Sequence, residues 1–213
     1  PYLPDTSAPD DYRCFQVGDV FEEDTFVKAT RIIPDATAIV HHVLLYVVTP
    51  QDVAELEARD AEEDGPGYTC FGGPGIGQSF GPVAGWAPGG LPEIAPEGAA
   101  RYIPAGSKLV MQLHYNVLNG GVVPDQTSVE FYTTDVPPEY EVRATPQAYL
   151  GIDIPAGDSA SVQVTTFPVS TPDFTVIGVA PHMHSIGTHI RVDMVRADGT
   201  EECLVDIPKW DFN

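Results

Sequence analysis

Basic residues are scarce in this sequence, which has 10 lysines and arginines against 31 aspartates and glutamates and a formal net charge of −21. Binding to nucleic acid phosphates needs a positive surface, so this balance argues against a nucleic acid partner. Long apolar runs are also missing, and no segment approaches the roughly 20 consecutive apolar residues of a membrane-spanning helix. We therefore expect neither a nucleic acid partner nor a membrane span.

Cysteine is rare too, and the three cysteines are too far apart for a zinc ribbon or a redox pair. One disulfide with one cysteine left over is the natural count. We pair Cys14 with Cys70 because both precede the middle of the chain, and we expect the partner of Cys203 to lie beyond Asn213. The alternative is three reduced, buried thiols. A disulfide forms in an oxidising compartment, so we expect a secreted or periplasmic protein.

Long helical periodicities are absent, whereas 21 prolines and 20 glycines make up nearly a fifth of the 213 residues. This combination favours an all-β sandwich or barrel with many turns. The first 12 residues are expected to be irregular, and a proline-rich joint divides the chain into residues 1–140 and 141–213. Strands are predicted at 26–33, 39–48, 108–118, 127–133, 160–166, 174–179, 187–195 and 202–207, with a short solvated helix within 51–65 and a hairpin turn at Asp198-Gly199.

Five of the six histidines lie in three small clusters within apolar segments: His41-His42, His114, and His182 with His184. Imidazole is the commonest metal ligand of proteins, so these clusters predict metal sites. Residues two apart on a strand point to the same side, and the third cluster can therefore share an ion. The adjacent pair can share one only if its strand is twisted or bulged there, with His114 as the obvious third ligand. The alternative for each histidine is a half-buried, hydrogen-bonded side chain.

Two other histidine sites fit the sequence less well. A cupin needs a glutamate a few residues after its His-x-His pair, and none follows His182 and His184. A zinc hydrolase built from that pair and His114 leaves the first pair unexplained, and no acidic base lies nearby in the sequence. His189 alternates with charged residues and is predicted to lie on the surface.

Four segments follow one another in a distinctive order: Phe26-Val-Lys-Ala-Thr30 to His41-His42-Val-Leu-Leu-Tyr46, Gly85-Trp-Ala-Pro-Gly89, Leu109-Val-Met-Gln-Leu-His-Tyr115, and Pro181-His-Met-His-Ser-Ile-Gly187. In this order they resemble the copper type II, ascorbate-dependent monooxygenases, the family of peptidylglycine α-hydroxylating monooxygenase and dopamine β-monooxygenase. The resemblance covers most of the chain from about Tyr12 onward and is closer to bacterial relatives. It implies two jelly-roll β-sandwich domains that each carry one copper.

The resemblance also implies a division of labour between two copper sites. The electron-donating copper would be bound by His41, His42 and His114. The second copper, where O2 binds and a substrate C–H bond is broken, would be bound by His182 and His184 as the catalytic residues. Soft thioether ligands stabilise Cu(I), and the family completes this second site with a methionine.

Two further expectations follow from the same resemblance. Gln112 matches a glutamine beside the first copper and would help to orient that site. The methionine of the family lies far downstream, and neither Met183 nor Met194 is suitably placed to replace it. The residues after the predicted boundary are too few for a whole jelly roll. We therefore expect the second domain to be incomplete and the chain to be a fragment of a longer polypeptide.

The function predicted in this way is that of a copper-dependent monooxygenase. It would hydroxylate a C–H bond of a small organic or peptide substrate, using O2 and a reductant such as ascorbate. The alternative is a secreted copper-binding β-sandwich protein without catalytic turnover.

Overall fold

The computed structural model of the protein describes residues 1–76, 82–118, 120–169, 173–183 and 186–211. The chain divides into two compact units, Pro1–Ala148 and Tyr149–Asn213. Apart from one short helix, the regular secondary structure of the described residues is strand, which confirms the all-β class predicted from the proline and glycine content and the absence of helical periodicity. The elements of the described chain are β1 (Asp10–Val17), β2 (Thr25–Ile33), β3 (Val40–Val48), α1 (Val53–Asp60), β4 (Tyr68–Thr69), β5 (Ala84–Trp86), β6 (Glu93–Ile94), β7 (Ala99–Ile103), β8 (Lys108–Asn116), β9 (Ser128–Thr134), β10 (Tyr140–Glu141), β11 (Ile190–Val195) and β12 (Glu201–Ile207).

Two sheets make up the first unit. One has the strand order β4-β1-β8-β3-β5, and all its neighbours are antiparallel. The other is built around β2, which pairs with β9, β7 and β6, while β10 adds to β7 in parallel. Leu45 and Leu113 of the first sheet and Val27 and Ile103 of the second belong to one buried cluster. The first unit is therefore a β-sandwich whose core lies between the two sheets.

Strand β8 carries apolar side chains on one face and polar side chains on the other. Successive side chains of a strand point to opposite faces. Leu109, Met111 and Leu113 face the core between the sheets. Gln112 and His114 occupy the other face and are nevertheless only 2% exposed. That outer face is covered by a smaller apolar cluster from α1, β4 and the segment that follows β4.

A disulfide joins β1 to this cover. Cys14 and Cys70 are bonded with an S–S distance of 2.02 Å, which confirms the predicted pair. The neighbouring Arg13 is buried, donates a hydrogen bond to the carbonyl of Gly67, and forms an ion pair with Glu63. Gly67 has φ of 69°, and a Cβ there would lie 2.3 Å from the carbonyl oxygen of Cys14. Only glycine fits this close approach.

The structure corrects the expected start of the chain. Residues 1–12 were predicted to be irregular, but β1 already begins at Asp10 and pairs with β8 along its whole length. The acidic residues at its start weaken the alternation that marks a strand. Pairing with β8 supplies the backbone hydrogen bonds that its own sequence does not predict.

The second unit contains a hairpin, β11 and β12, with its turn at the predicted Asp198-Gly199. The strands predicted at 160–166 and 174–179 are wrong, because the described residues there form no strand. Their apolar alternation is present, but a strand also needs a hydrogen-bonded neighbour. Cys203 on β12 is an exposed free thiol.

The first unit extends to Ala148, and β10 near its end still pairs with β7 of the sandwich. It therefore includes several residues beyond the predicted boundary after residue 140. In the described part of the chain, no helix has the length and apolar character needed to cross a membrane.

Candidate metal centre

Three histidines converge on the outer face of the first sheet. His42 on β3 and His114 on β8 are direct cross-strand partners. The register shifts between Val40 and His42, so β3 has one extra residue, His41, at this point. Such a bulge turns an adjacent side chain toward its neighbour. The condition under which the pair could share an ion is therefore met.

The distances between the ring nitrogens fit a metal ion. Nδ1 of His42 lies 3.3 Å from Nδ1 of His41 and 3.4 Å from Nδ1 of His114. One ligand atom from each of the three histidines falls within 4.8 Å of the others. Metal–nitrogen bonds of 2.0–2.1 Å at tetrahedral angles place two ligand nitrogens about 3.4 Å apart. Imidazole suits zinc, copper, iron and nickel, so this donor set can hold a transition metal ion.

His114 is held by a hydrogen bond and by ring stacking. Its Nε2 lies 2.9 Å from Oδ1 of Asp10, and the ring of Tyr12 stacks on it at 4.1 Å with an interplanar angle of 10°. Burial lowers the pKa of His114, and the hydrogen bond to Asp10 opposes this shift. The net lowering favours the neutral imidazole, which is the form that binds metals.

Asp10 and Tyr12 were not predicted from the sequence as parts of the site. Both lie on β1, where Tyr12 is the register partner of His114, and Phe71 packs edge-on against the Tyr12 ring at 5.0 Å. The only sequence feature near these two residues that could have indicated them is the weak alternation of apolar and polar residues in β1. Because Asp10 is 104 residues away from His114, its role depends on strand pairing.

Gln112 lies two residues before His114 on the same face of β8. Its Nε2 is 3.4 Å from Sγ of Cys70 and 3.4 Å from the carbonyl oxygen of Gly73. These contacts tie β8 to the disulfide and to the segment that covers the sheet. The expected role of Gln112 in orienting the metal centre stays a prediction.

The third histidine cluster is only partly described. His182 is exposed, and its ring lies edge-on to Trp210 with the ring centroids 6.2 Å apart. His184 lies outside the described residues, so its pairing with His182 stays a prediction. Among the residues that the structure describes, the only group of three histidine, cysteine or acidic side chains close enough to hold one ion is His41, His42 and His114.

His189 is exposed, as predicted, and its Nε2 lies 2.6 Å from Oδ1 of Asp206. It belongs to none of the three histidine clusters and lies directly before β11 in the second unit.

The sequence matches no protein-family model, and no curated protein matches it significantly. The functional assignment therefore depends on the geometry of His41, His42 and His114 and on the sequence motifs.

Proposed function

We propose that this protein is a copper-dependent monooxygenase whose electron-donating copper is held by His41, His42 and His114. The observation that carries the proposal is the meeting of three Nδ1 atoms at a β-bulge, with separations that suit one metal ion. Copper bound there would supply one-electron redox chemistry. The order of the four sequence motifs supports copper as the metal.

The chain's own residues prepare this site in two ways. The β3–β8 register fixes His42 opposite His114, so two ligands are set by the sheet backbone. His41 and His42 are half-buried rather than enclosed, which leaves the centre open to a small reductant such as ascorbate. Pre-positioned ligands reduce the rearrangement that accompanies a change of redox state.

In this proposal the second site, with His182 and His184, would be the place where O2 and a small organic or peptide substrate react. The exposure of His182 is compatible with access by a substrate. The Cys14–Cys70 disulfide supports an oxidising compartment, and we propose that the protein is secreted or periplasmic.

A copper-binding protein without turnover is the second candidate. It is favoured by the contrast between the two units, because no described residue of 149–213 is buried. Binding at the first site alone would then be the whole function.

Copper binding to the metal-free protein tests the proposal. We expect tight binding of Cu(I) and Cu(II), measured by competition with a chelator, and three nitrogen ligands by X-ray absorption at the first site. His114→Ala should abolish tight binding at this site, whereas the matched control His189→Ala, on the surface, should retain it. Undiminished affinity in His114→Ala would remove the assignment.

Ascorbate-dependent oxygen consumption in the presence of candidate substrates separates the two functions, provided that the protein assayed also supplies the methionine ligand expected for the second copper. Turnover that is lost in His114→Ala supports the monooxygenase. Copper binding with no oxygen consumption supports the second candidate.

A further inference from the structure

We propose that Asp10 is the positioning carboxylate of the metal centre and selects which nitrogen of His114 faces the metal. This inference deepens the proposed function and rests on it. The contact that carries it is the 2.9 Å hydrogen bond between Nε2 of His114 and Oδ1 of Asp10. Asp10 does not itself approach the three-histidine cluster as a ligand.

The chemistry of a neutral imidazole explains the selection. One of its nitrogens carries a hydrogen, and only the other has a lone pair for a metal. An ionised carboxylate accepts hydrogen bonds and cannot donate them, so Nε2 of His114 must carry the hydrogen. The lone pair of Nδ1 then faces His42, whose Nδ1 is 3.4 Å away. Outer partners of this kind fix the ring and increase its strength as a ligand.

Asp10 is held in place even though 42% of its side chain is exposed. Its Oδ1 also accepts a hydrogen bond from Nδ2 of Asn116 at 2.9 Å, and the two residues are register partners in the β1–β8 pairing. Two residues along β1, Tyr12 stacks on the ring that Asp10 orients. One strand therefore supplies both the hydrogen-bond acceptor and the stacking surface for His114.

The next residue offers a matched comparison. Asp11 carries the same charge, but its Oδ2 accepts hydrogen bonds from the hydroxyl of Tyr2 and the backbone N–H of Asp5. A general effect of negative charge near the metal would appear when either aspartate is neutralised. An effect of orientation would belong to Asp10 alone.

The test compares Asp10→Ala, Asp10→Asn and Asp11→Asn in the whole protein. Copper affinity is measured by chelator competition, and the His114 tautomer by nitrogen NMR of the metal-free protein with labelled histidine. We expect Asp10→Ala to weaken binding about ten- to a hundredfold. Asp10→Asn, which keeps an accepting oxygen, should lose less, and Asp11→Asn should stay within about twofold of the wild type.

The NMR measurement gives a readout that a merely structural role would not change. We expect the hydrogen of His114 on Nε2 in the wild type and a mixture of tautomers in Asp10→Ala. Equal copper affinities of Asp10→Ala and Asp11→Asn, or a hydrogen on Nδ1 of wild-type His114, would overturn the role of Asp10 while leaving the metal site intact. A wild-type protein that binds no copper would instead overturn the proposed function, and this inference with it.

Discussion

The two compact units contain similar apolar sequences but bury them differently. In the first unit, Leu45 is fully buried between two sheets. In the second, Leu150, Val162 and Val164 are 92%, 82% and 80% exposed. Apolar alternation places apolar side chains on one face of a strand. They become a buried core only when a second layer of structure packs on that face.

The same difference separates the two histidine regions. His114 is buried on the outer face of the first sheet, stacks on Tyr12 and is hydrogen-bonded to Asp10. His182 is exposed on a segment that belongs to no described strand. A metal ligand keeps its geometry when packing and hydrogen bonds fix its rotamer. The first unit therefore offers the better-defined centre.

Among the changes considered, removal of the Cys14–Cys70 disulfide of the first unit should lower the free energy of unfolding most. The bond joins residues 56 positions apart, and loop closure of this length contributes about 4 kcal/mol to the free energy of unfolding in the chain-entropy model. We expect Cys14→Ser with Cys70→Ser to lower the free energy of unfolding by about that amount, measured by guanidinium chloride denaturation. The exposed thiol provides the control, and Cys203→Ser should leave stability nearly unchanged. Similar losses in the double variant and in Cys203→Ser would contradict the stabilising role of the Cys14–Cys70 bond.

A matched pair of leucines compares burial directly. Leu45→Ala removes a fully buried side chain from the sandwich core and should cost about 3 kcal/mol, through lost burial and the cavity that remains. Leu150→Ala makes the same change at a 92% exposed position and should cost less than about 0.5 kcal/mol. Denaturant midpoints with unchanged slopes provide the measurement. A large loss in Leu150→Ala would show that the second unit buries this residue in solution.

Neutralising a carboxylate in each unit, Glu63 in the first and Asp193 in the second, should change the free energy of unfolding least. For Glu63 the change should depend on pH. The backbone N–H of Thr69 and the guanidinium of Arg13 lower the pKa of Glu63. A carboxylate with a lowered pKa stabilises the fold above its unfolded value of about 4.3, and this contribution is lost as the pH falls through the folded value. Glu63→Gln should therefore cost about 1 kcal/mol near neutral pH, because Arg13 is buried while Glu63 is partly solvated.

Unfolding measured at several pH values checks this prediction. The gap between Glu63→Gln and the wild type should close at acid pH, where both side chains are uncharged. Asp193→Asn is the matched control, because it makes the same change to an exposed pair with Arg191 in the second unit. A gap that persists unchanged at acid pH would rule out the ionised carboxylate as its cause.

Several features could be predicted because their causes are local. Side-chain direction on a strand follows from backbone geometry alone, so the strand predicted at 108–118 already places Leu113 and His114 on opposite faces, and the structure has Leu113 in the core. The number of cysteines led to the pair Cys14–Cys70, although geometry played no part in that choice. The grouping of histidines correctly indicated that His41, His42 and His114 could hold a metal ion.

Strand pairing decided the rest, because hydrogen bonds between distant segments leave little trace in either sequence. The pairing of β1 with β8 brings Asp10 and Tyr12 to His114, and neither was identifiable beforehand. The absence of partners in the described chain likewise left the alternating residues 160–166 outside any strand. The sequence by itself determined the all-β class and the three histidines of the candidate metal centre. Only the tertiary structure decided the bulge at His41 and the carboxylate behind His114, since both depend on the register between strands.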